Sequence, residues 1–236
     1  MNKFSALGLS DLLTKSLQDM GFESPSEIQE KAIPVLIQNQ NHFIGLAQTG
    51  TGKTAAFGLP LIDLIDINDR HTQAIVLAPT RELGQQIAAQ FQNFSKYLPE
   101  IKVLAVYGGA PISNQIRALK DKPQIIIATP GRMIDLLNRK ALNISKIRYV
   151  VLDEADEMLN MGFKDDLDEI LSHTPKEKLT WLFSATMPKE IRRIVKTYMH
   201  DPVEISVNSG TSTNKDIEHQ YAVVKVSDKT EAIKRI

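Results

Sequence analysis

Ala47-Gln-Thr-Gly-Thr-Gly-Lys-Thr54 follows the apolar run His42-Phe-Ile-Gly-Leu46 and opens a stretch of helical period over 53–65. Strand, glycine-rich turn and helix in that order make a loop that wraps phosphate oxygens. Gly50 and Gly52 let the backbone turn its N–H groups inward, with Gln48, Thr49 and Thr51 completing the cradle. Lys53 is placed to lie against the β- and γ-phosphates of a nucleotide, and the Thr54 hydroxyl to ligate magnesium. The positive end of the following helix favours the same anion. Ala47 stands where the general pattern has glycine.

The pattern of strand then helix repeats along the chain. Apolar or β-branched runs occur at 42–46, 74–78, 103–107, 124–128, 149–153, 180–184 and 203–206. Several are apolar throughout rather than alternating, as in parallel strands covered on both faces. Helical periodicity fills 53–65, 81–97, 112–119, 131–138, 165–171 and 189–198. The expected fold is α/β, a parallel sheet sandwiched between helices, with ligands beyond the carboxyl ends of the strands. Residues 1–207 read as that domain. Residues 208–216, polar and without period, read as a linker. Residues 217–226 read as a strand and 228–236 as the first turns of a helix, together the start of a second domain.

Asp153-Glu-Ala-Asp156 ends the run at 149–153. Asp153 is where a second magnesium-binding carboxylate belongs, and Glu154 is placed to polarise the water that attacks a γ-phosphate. Alone, the string equally describes an acidic helix start. Upstream, Ser24-Pro-Ser-Glu27 has capping-box spacing with proline at the first helical position, which places Gln29 in the first turn and Phe22 just before it. A glutamine amide can pair with the N6 and N7 edge of adenine and a phenylalanine can stack on the ring. An isolated pair of this kind is more often an exposed helical glutamine beside a core phenylalanine.

The 28 basic and 28 acidic residues cancel, so any nucleic-acid contact must come from local placement. No apolar run approaches the ~20 residues that cross a bilayer, and the N-terminus is too polar for a signal peptide. The absence of cysteine excludes disulfides and thiolate chemistry and agrees with a cytoplasmic protein. The five histidines lack metal-ligand spacing, so no zinc site is expected. Asp165, Asp166, Asp168 and Glu169 read as the solvated face of a helix, and Trp181 and Phe183 as core.

The order of the short strings resembles the N-terminal RecA-like domain of a DEAD-box RNA helicase from about Phe4 onward. Gly21-Phe22 with Ser24-Pro-Ser-Glu-Ile-Gln29 is similar to that family's adenine-reading Q motif, and the phosphate loop follows, with Ala47 usual for the family. Next come Pro79-Thr-Arg-Glu-Leu83, Gly108-Gly109, Thr129-Pro-Gly-Arg132, Asp153-Glu-Ala-Asp156 and Ser184-Ala-Thr186. The resemblance implies a phosphate-loop NTPase that uses ATP and magnesium. It implies that Phe22, Ser24 and Gln29 serve the adenine, and that Lys53, Asp153 and Glu154 carry the chemistry. Pro79, Thr80, Arg81, Gly109, Thr129, Pro130, Gly131 and Arg132 are then the RNA contacts. Helix starts with hydroxyls, free N–H groups and an arginine suit a sugar–phosphate backbone and carry no base information. Asp156, Ser184 and Thr186 are implied to couple nucleotide state to RNA grip. A second RecA-like domain is implied as the partner that completes both sites, leaving this chain near-inactive alone. A small-molecule phosphate-loop kinase and a non-catalytic nucleotide-gated clamp are the alternatives. The first leaves the two helix starts unexplained, and the second leaves Glu154 without a task.

Overall fold

The structure, a computed structural model, describes residues 3–38, 41–207, 223–225 and 228–233. The apolar runs become β1 (Phe43–Leu46), β2 (Ala74–Leu77), β3 (Val103–Val106), β4 (Ile125–Ala128), β5 (Tyr149–Leu152), β6 (Leu179–Ser184) and β7 (Val203–Ser206). They form one parallel sheet in the order β3-β4-β2-β5-β6-β1-β7. Register is fixed by burial on both faces. Phe43, Val76, Ile127, Val151 and Phe183 enter one apolar cluster. Their neighbours Ile44, Ile75, Ile126, Val150 and Leu182 enter the other. The side-chain period of two along each strand thus feeds two cores, and a slip of one residue would exchange them.

The first core is roofed by α1 (Asp11–Asp19), α2 (Glu27–Gln38), α3 (Lys53–Asp63) and α4 (Arg81–Phe94). The second is roofed by α5 (Ile112–Leu119), α6 (Pro130–Asn138), α7 (Ala155–Asn160), α8 (Lys164–Ser172) and α9 (Lys189–Tyr198). On α8 the apolar residues Leu167, Ile170 and Leu171 are buried while Asp165, Asp168 and Glu169 stay at least partly exposed. Trp181 and Phe183 are wholly buried, as expected of core.

Two expectations need adjusting. The helix after Ser24 and Pro25 starts at Glu27, two residues later than their spacing implies. Ser26, not Ser24, does the capping: its carbonyl accepts the first helical bond from Glu30, and its N–H donates to Gln29 Oε1 at 3.0 Å. The reciprocal half of the box is therefore made by Gln29 rather than Glu27. At the other end, the linker over 208–216 lies outside the described residues. So does most of the strand expected over 217–226, and its described residues 223–225 are not in a strand. A short helix, α10 (Lys229–Ile233), falls inside the helical stretch read at 228–236. Among the described residues no helix is long and apolar enough to cross a membrane.

One close approach fixes how α3 meets α4. A Cβ built on Gly58 would lie 2.6 Å from the ring of Phe91, which is wholly buried and has nowhere to retreat. Gly58→Ala gains helix propensity but overpacks this contact, so a net destabilisation of roughly 1–2 kcal/mol is expected. A urea midpoint followed by circular dichroism would show it, and Phe91→Leu in the same chain should recover most of the loss. An unchanged midpoint would mean that the two helices can part without cost.

Candidate nucleotide and nucleic-acid site

Because the strands are parallel, their carboxyl ends form one edge, and every loop singled out above leaves from that edge except residues 21–29, which lead from α1 into α2. Sheet order sorts the loops into two groups. Those after β5, β6 and β1, three adjacent strands, carry residues 153–156, 184–186 and 47–54. Those after β3, β4 and β2, the adjacent strands on the other side, carry Gly109, Thr129 and Thr80 with their neighbours. Residues interleaved in the chain thus become two neighbouring groups of loops.

From the first group, the loops after β1 and β5 line a cleft of ≈ 340 Å³, within the ~300–1,000 Å³ usual for small-molecule sites. Phe22, Gln29, Thr49, Gly50, Gly52, Lys53, Thr54, Asp153 and Glu154 line it. Ser24, Gln48 and Thr51 do not. Ser24 Oγ accepts from Lys3 Nζ, and Thr51 Oγ1 donates to the Gln48 carbonyl at 2.7 Å, which braces the loop from behind. The fourth wall comes from α4 through Leu83, Gln86, Gln90 and Phe94. The sequence does not point to these four, because only the packing of α4 on α3 brings them to the cleft.

Gln29 is buried, with both ends of its amide engaged. Oε1 accepts from Ser26 N–H, and Nε2 donates to the Gly52 carbonyl at 3.0 Å. Ser26 Oγ donates to the Thr51 carbonyl at 2.8 Å. The start of α2 is thus bonded directly to the phosphate loop. Gly52, at φ +91°, leaves no room for a side chain, since a Cβ there would come 2.3 Å from Gln29 Nε2. Phe22 stands half-buried at the end of the cleft, edge-on to Phe4 and Phe94 at 6.0 and 6.3 Å between ring centroids. Such contacts hold an aromatic ring in one orientation.

Lys53 is buried at the first position of α3, and its Nζ donates to the Ala47 carbonyl at 2.9 Å, across the mouth of the loop. Asp153 is buried at the end of β5, accepting from Glu154 N–H at 3.0 Å. Burial pushes its carboxyl up to about 7, with Lys53 pulling it down and the Glu154 charge raising it further. Glu154 takes the left-handed conformation, φ 49° and ψ 51°, and caps α7 without a side-chain hydrogen bond. That backbone, unfavourable by about 1–3 kcal/mol for a residue other than glycine, turns the chain sharply off β5. The Glu154 side chain meets the cleft beside Asp153. Asp153 and Thr54 offer hard oxygen donors, which suit magnesium once a nucleotide's phosphates supply the others. Among the described residues, no group of three or more His, Cys, Asp and Glu side chains is placed to hold a metal by itself.

Asp156 binds the loop after β6. Its Oδ2 accepts from both the N–H and the hydroxyl of Thr186, at 3.0 and 2.8 Å, and its own N–H donates to Ser184 Oγ. Burial alone would raise this carboxyl, but the bonds from Thr186 and Ser184 outweigh it and hold Asp156 below its ordinary value. The three residues expected to couple the sites form one hydrogen-bonded cluster.

In the second group, Thr80 caps α4, accepting from Leu83 N–H at 3.2 Å, with Pro79 buried behind it and Arg81 exposed. Gly109 turns at φ +78° beside the Arg81 guanidinium. Thr129 caps α6 with its hydroxyl uncommitted to the helix, Pro130 is buried at the first position, and Gly131 is exposed. Arg132 faces inward. Its Nη2 donates to the Ala110 carbonyl at 3.1 Å, its Nε lies 3.9 Å from Asp135, and its Nη1 is buried without a partner. The guanidinium therefore braces the glycine loop from inside. Gln85, Tyr107 and Gln115, which no motif marks, complete this group.

Residues 26–194 match the family model described as DEAD/DEAH box helicase. The chain is 50% identical over 232 residues to the ATP-dependent RNA helicase DeaD of Buchnera aphidicola subsp. Schizaphis graminum, covering 98% of this chain and 38% of that protein. It is 48% identical over 236 residues to the ATP-dependent RNA helicase CshA of Listeria monocytogenes, covering 100% and 45%. The chain thus spans less than half the length of these relatives. Its fold superposes on a DEAD box protein from the hyperthermophile Methanococcus jannaschii with a TM-score of 0.83, at 42% identity, over 99% of this chain and 62% of that one.

Proposed function

The chain belongs to the DEAD/DEAH box helicase family, and on that premise we propose that it is the ATP-binding and hydrolysing half of an ATP-dependent RNA helicase. One observation carries this reading. The sheet order sets the loops after β5, β6 and β1 beside the helix starts that follow β4 and β2 on one edge, and the Asp156–Thr186 bonds tie two of the nucleotide-side loops together. A nucleotide would lie with its base between Phe22 and Gln29 and its phosphates over the loop at 47–54. RNA would lie across Thr80, Arg81, Gly109 and the start of α6, held by its backbone without marked sequence preference. The cytoplasm, where ATP and RNA meet, is the setting this implies.

The residues divide the work. Lys53 leaves the Ala47 carbonyl to meet the β- and γ-phosphates, so its ammonium exchanges a neutral acceptor for an anionic one. Gln29 carries any movement of the base to the loop backbone, because the same amide is bonded to Gly52. Asp153 and Thr54 would hold magnesium, which supplies positive charge to the transferring phosphoryl group. Glu154 accepts the proton of the attacking water and orients it. The exposed N–H groups at the start of α6 and the Arg81 side chain hold RNA phosphates. Arg132 fixes the loop on which Gly109 sits.

A second RecA-like domain completes both sites in this reading and supplies arginines to the γ-phosphate, a contribution of about 10³–10⁵ in rate. This chain by itself is accordingly expected to bind ATP, to hydrolyse it very slowly and not to unwind RNA. ATP hydrolysis with and without single-stranded RNA, using Lys53→Ala as the blank, tests this. Measurable binding with negligible turnover supports the half-site. Robust RNA-stimulated turnover abolished by Lys53→Ala would overturn the claim that a second domain is essential.

A further inference from the structure

Arg81 is the exposed cation of the helix-start group, and a long side chain on a surface spends most of its time away from any one orientation. The structure surrounds it on two sides. Its guanidinium carbon lies 5.5 Å from the ring centroid of Tyr107, over the face. Its Nη1 comes 3.8 Å from where a Cβ would stand on Gly109. The only ion pair it makes among the described residues is a loose one, 3.8 Å to the exposed carboxylate of Glu82 next to it in the chain.

The tyrosine is itself held from two directions. Gln85, one turn along α4 from Arg81, donates to the Tyr107 hydroxyl at 2.7 Å, so the same helix carries both the cation and the clasp on its platform. Behind it, the buried amide of Gln115 binds both backbone groups of Tyr107, accepting from its N–H at 3.3 Å and donating to its carbonyl at 3.1 Å. A glutamine that satisfies both polar groups of one residue substitutes for a neighbouring strand at the point where β3 ends. Ring, clasp and backbone anchor thus converge on one guanidinium.

From this we infer that Tyr107 is a positioning residue for RNA binding: its ring holds the Arg81 guanidinium beside Gly109, where a phosphate of the RNA backbone meets it. The inference rests on the RNA reading proposed above. The attraction is between a cation and the ring face, so an aromatic ring is required and the hydroxyl is secondary. Tyr107 contacts the arginine rather than the nucleic acid, and it gives no base preference.

A labelled single-stranded oligouridylate, titrated with this chain at low salt and followed by fluorescence anisotropy, provides the test. Arg81→Ala is expected to weaken binding about tenfold, as loss of one charge-assisted phosphate contact does. Tyr107→Leu should weaken it about threefold, in line with an exposed cation–π contact, and Tyr107→Phe should stay close to wild type. In the double variant, adding Tyr107→Leu to Arg81→Ala should cause no further loss, since the platform matters only when the arginine is present. A residue with a merely structural role would instead move the thermal midpoint and ATP affinity, which are expected to hold in Tyr107→Leu. Losses that multiply in the double variant, or a Tyr107→Leu chain that binds as wild type while Arg81→Ala does not, would overturn the inference and leave the RNA reading standing. A wild-type chain that fails to bind the oligouridylate even at low salt would remove the claim that this half of the site holds RNA phosphates, and the inference with it.

Discussion

Glu154→Gln is expected to slow ATP turnover by about 10²–10⁴-fold, the contribution of a general base, while leaving Mg–ATP affinity within a few-fold of wild type. The substitution keeps size and shape and removes the capacity to accept a proton together with a negative charge beside Asp153. The turn into α7 does not rest on that carboxylate, since Glu154 caps the helix without a side-chain bond. Its backbone conformation is set by the turn off β5 rather than by its charge. Turnover by this chain is expected to be slow already, so the comparison belongs in a single-turnover format with labelled ATP followed over hours. Nucleotide release measured alongside separates a hydrolase from a nucleotide-gated clamp. In a hydrolase, Glu154→Gln retains ATP unhydrolysed and changes release little. In a clamp, hydrolysis is negligible in both chains and only the release of bound nucleotide is regulated. Equal rates from Glu154→Gln and wild type would take the proton-accepting role away from Glu154.

How much of this could be read beforehand depended on the kind of signal. Strands β1 to β6 are legible because each is a short, largely apolar run that both cores require, as Ile125–Ala128 shows with every residue buried, whereas β7 shows only as an alternation that packs Val203 and Ile205 on the first core. The phosphate loop and Asp153 were legible because glycines, a lysine and a strand-end acid are rare in that arrangement. α1 was not, since its buried stripe of Leu13 and Leu17 is diluted by Thr14 and Ser16, which are buried as well. α7 is six residues long, too short for a period to show. The start of α2 is ambiguous in sequence because Ser24 and Ser26 both suit a cap, and the choice is made by the bonds of Ser26 and Gln29 to the phosphate loop. Two features leave no trace in sequence. A left-handed glutamate at 154 looks like any other glutamate. The inward turn of Arg132 is decided by the Ala110 carbonyl, 22 residues away.

The second large effect concerns Asp153, and its sign is unusual for an acidic residue. Its carboxyl is raised to about 7 in the folded chain from an ordinary 3.8. Below about pH 4 the group is protonated whether folded or not and has no effect on stability. Between about 4 and 7 the unfolded carboxylate is ionised while the folded one retains its proton, so the nucleotide-free fold loses stability as pH rises. Above 7 both forms are ionised and the loss is complete, of the order of 4 kcal/mol. Asp153→Asn removes the buried charge and keeps an oxygen to accept from Glu154 N–H. It leaves a new buried amide donor to satisfy, which offsets part of the gain. The nucleotide-free Asp153→Asn chain is therefore expected to be more stable than wild type at pH 8, by about 1–3 kcal/mol, and to show no such advantage near pH 4. Urea midpoints at the two pH values measure this. The same substitution should abolish the stabilisation that magnesium nucleotide gives wild type, because the group that destabilises the empty fold is the one that would hold the cation. Calorimetry near pH 6.5 in buffers of different ionisation enthalpy should find protons released when magnesium nucleotide binds wild type, and none with Asp153→Asn. If the variant is instead less stable at pH 8, or proton release is the same in both chains, then burial is not what sets the charge of Asp153. The link between an unstable empty site and its affinity for a cation would then be lost.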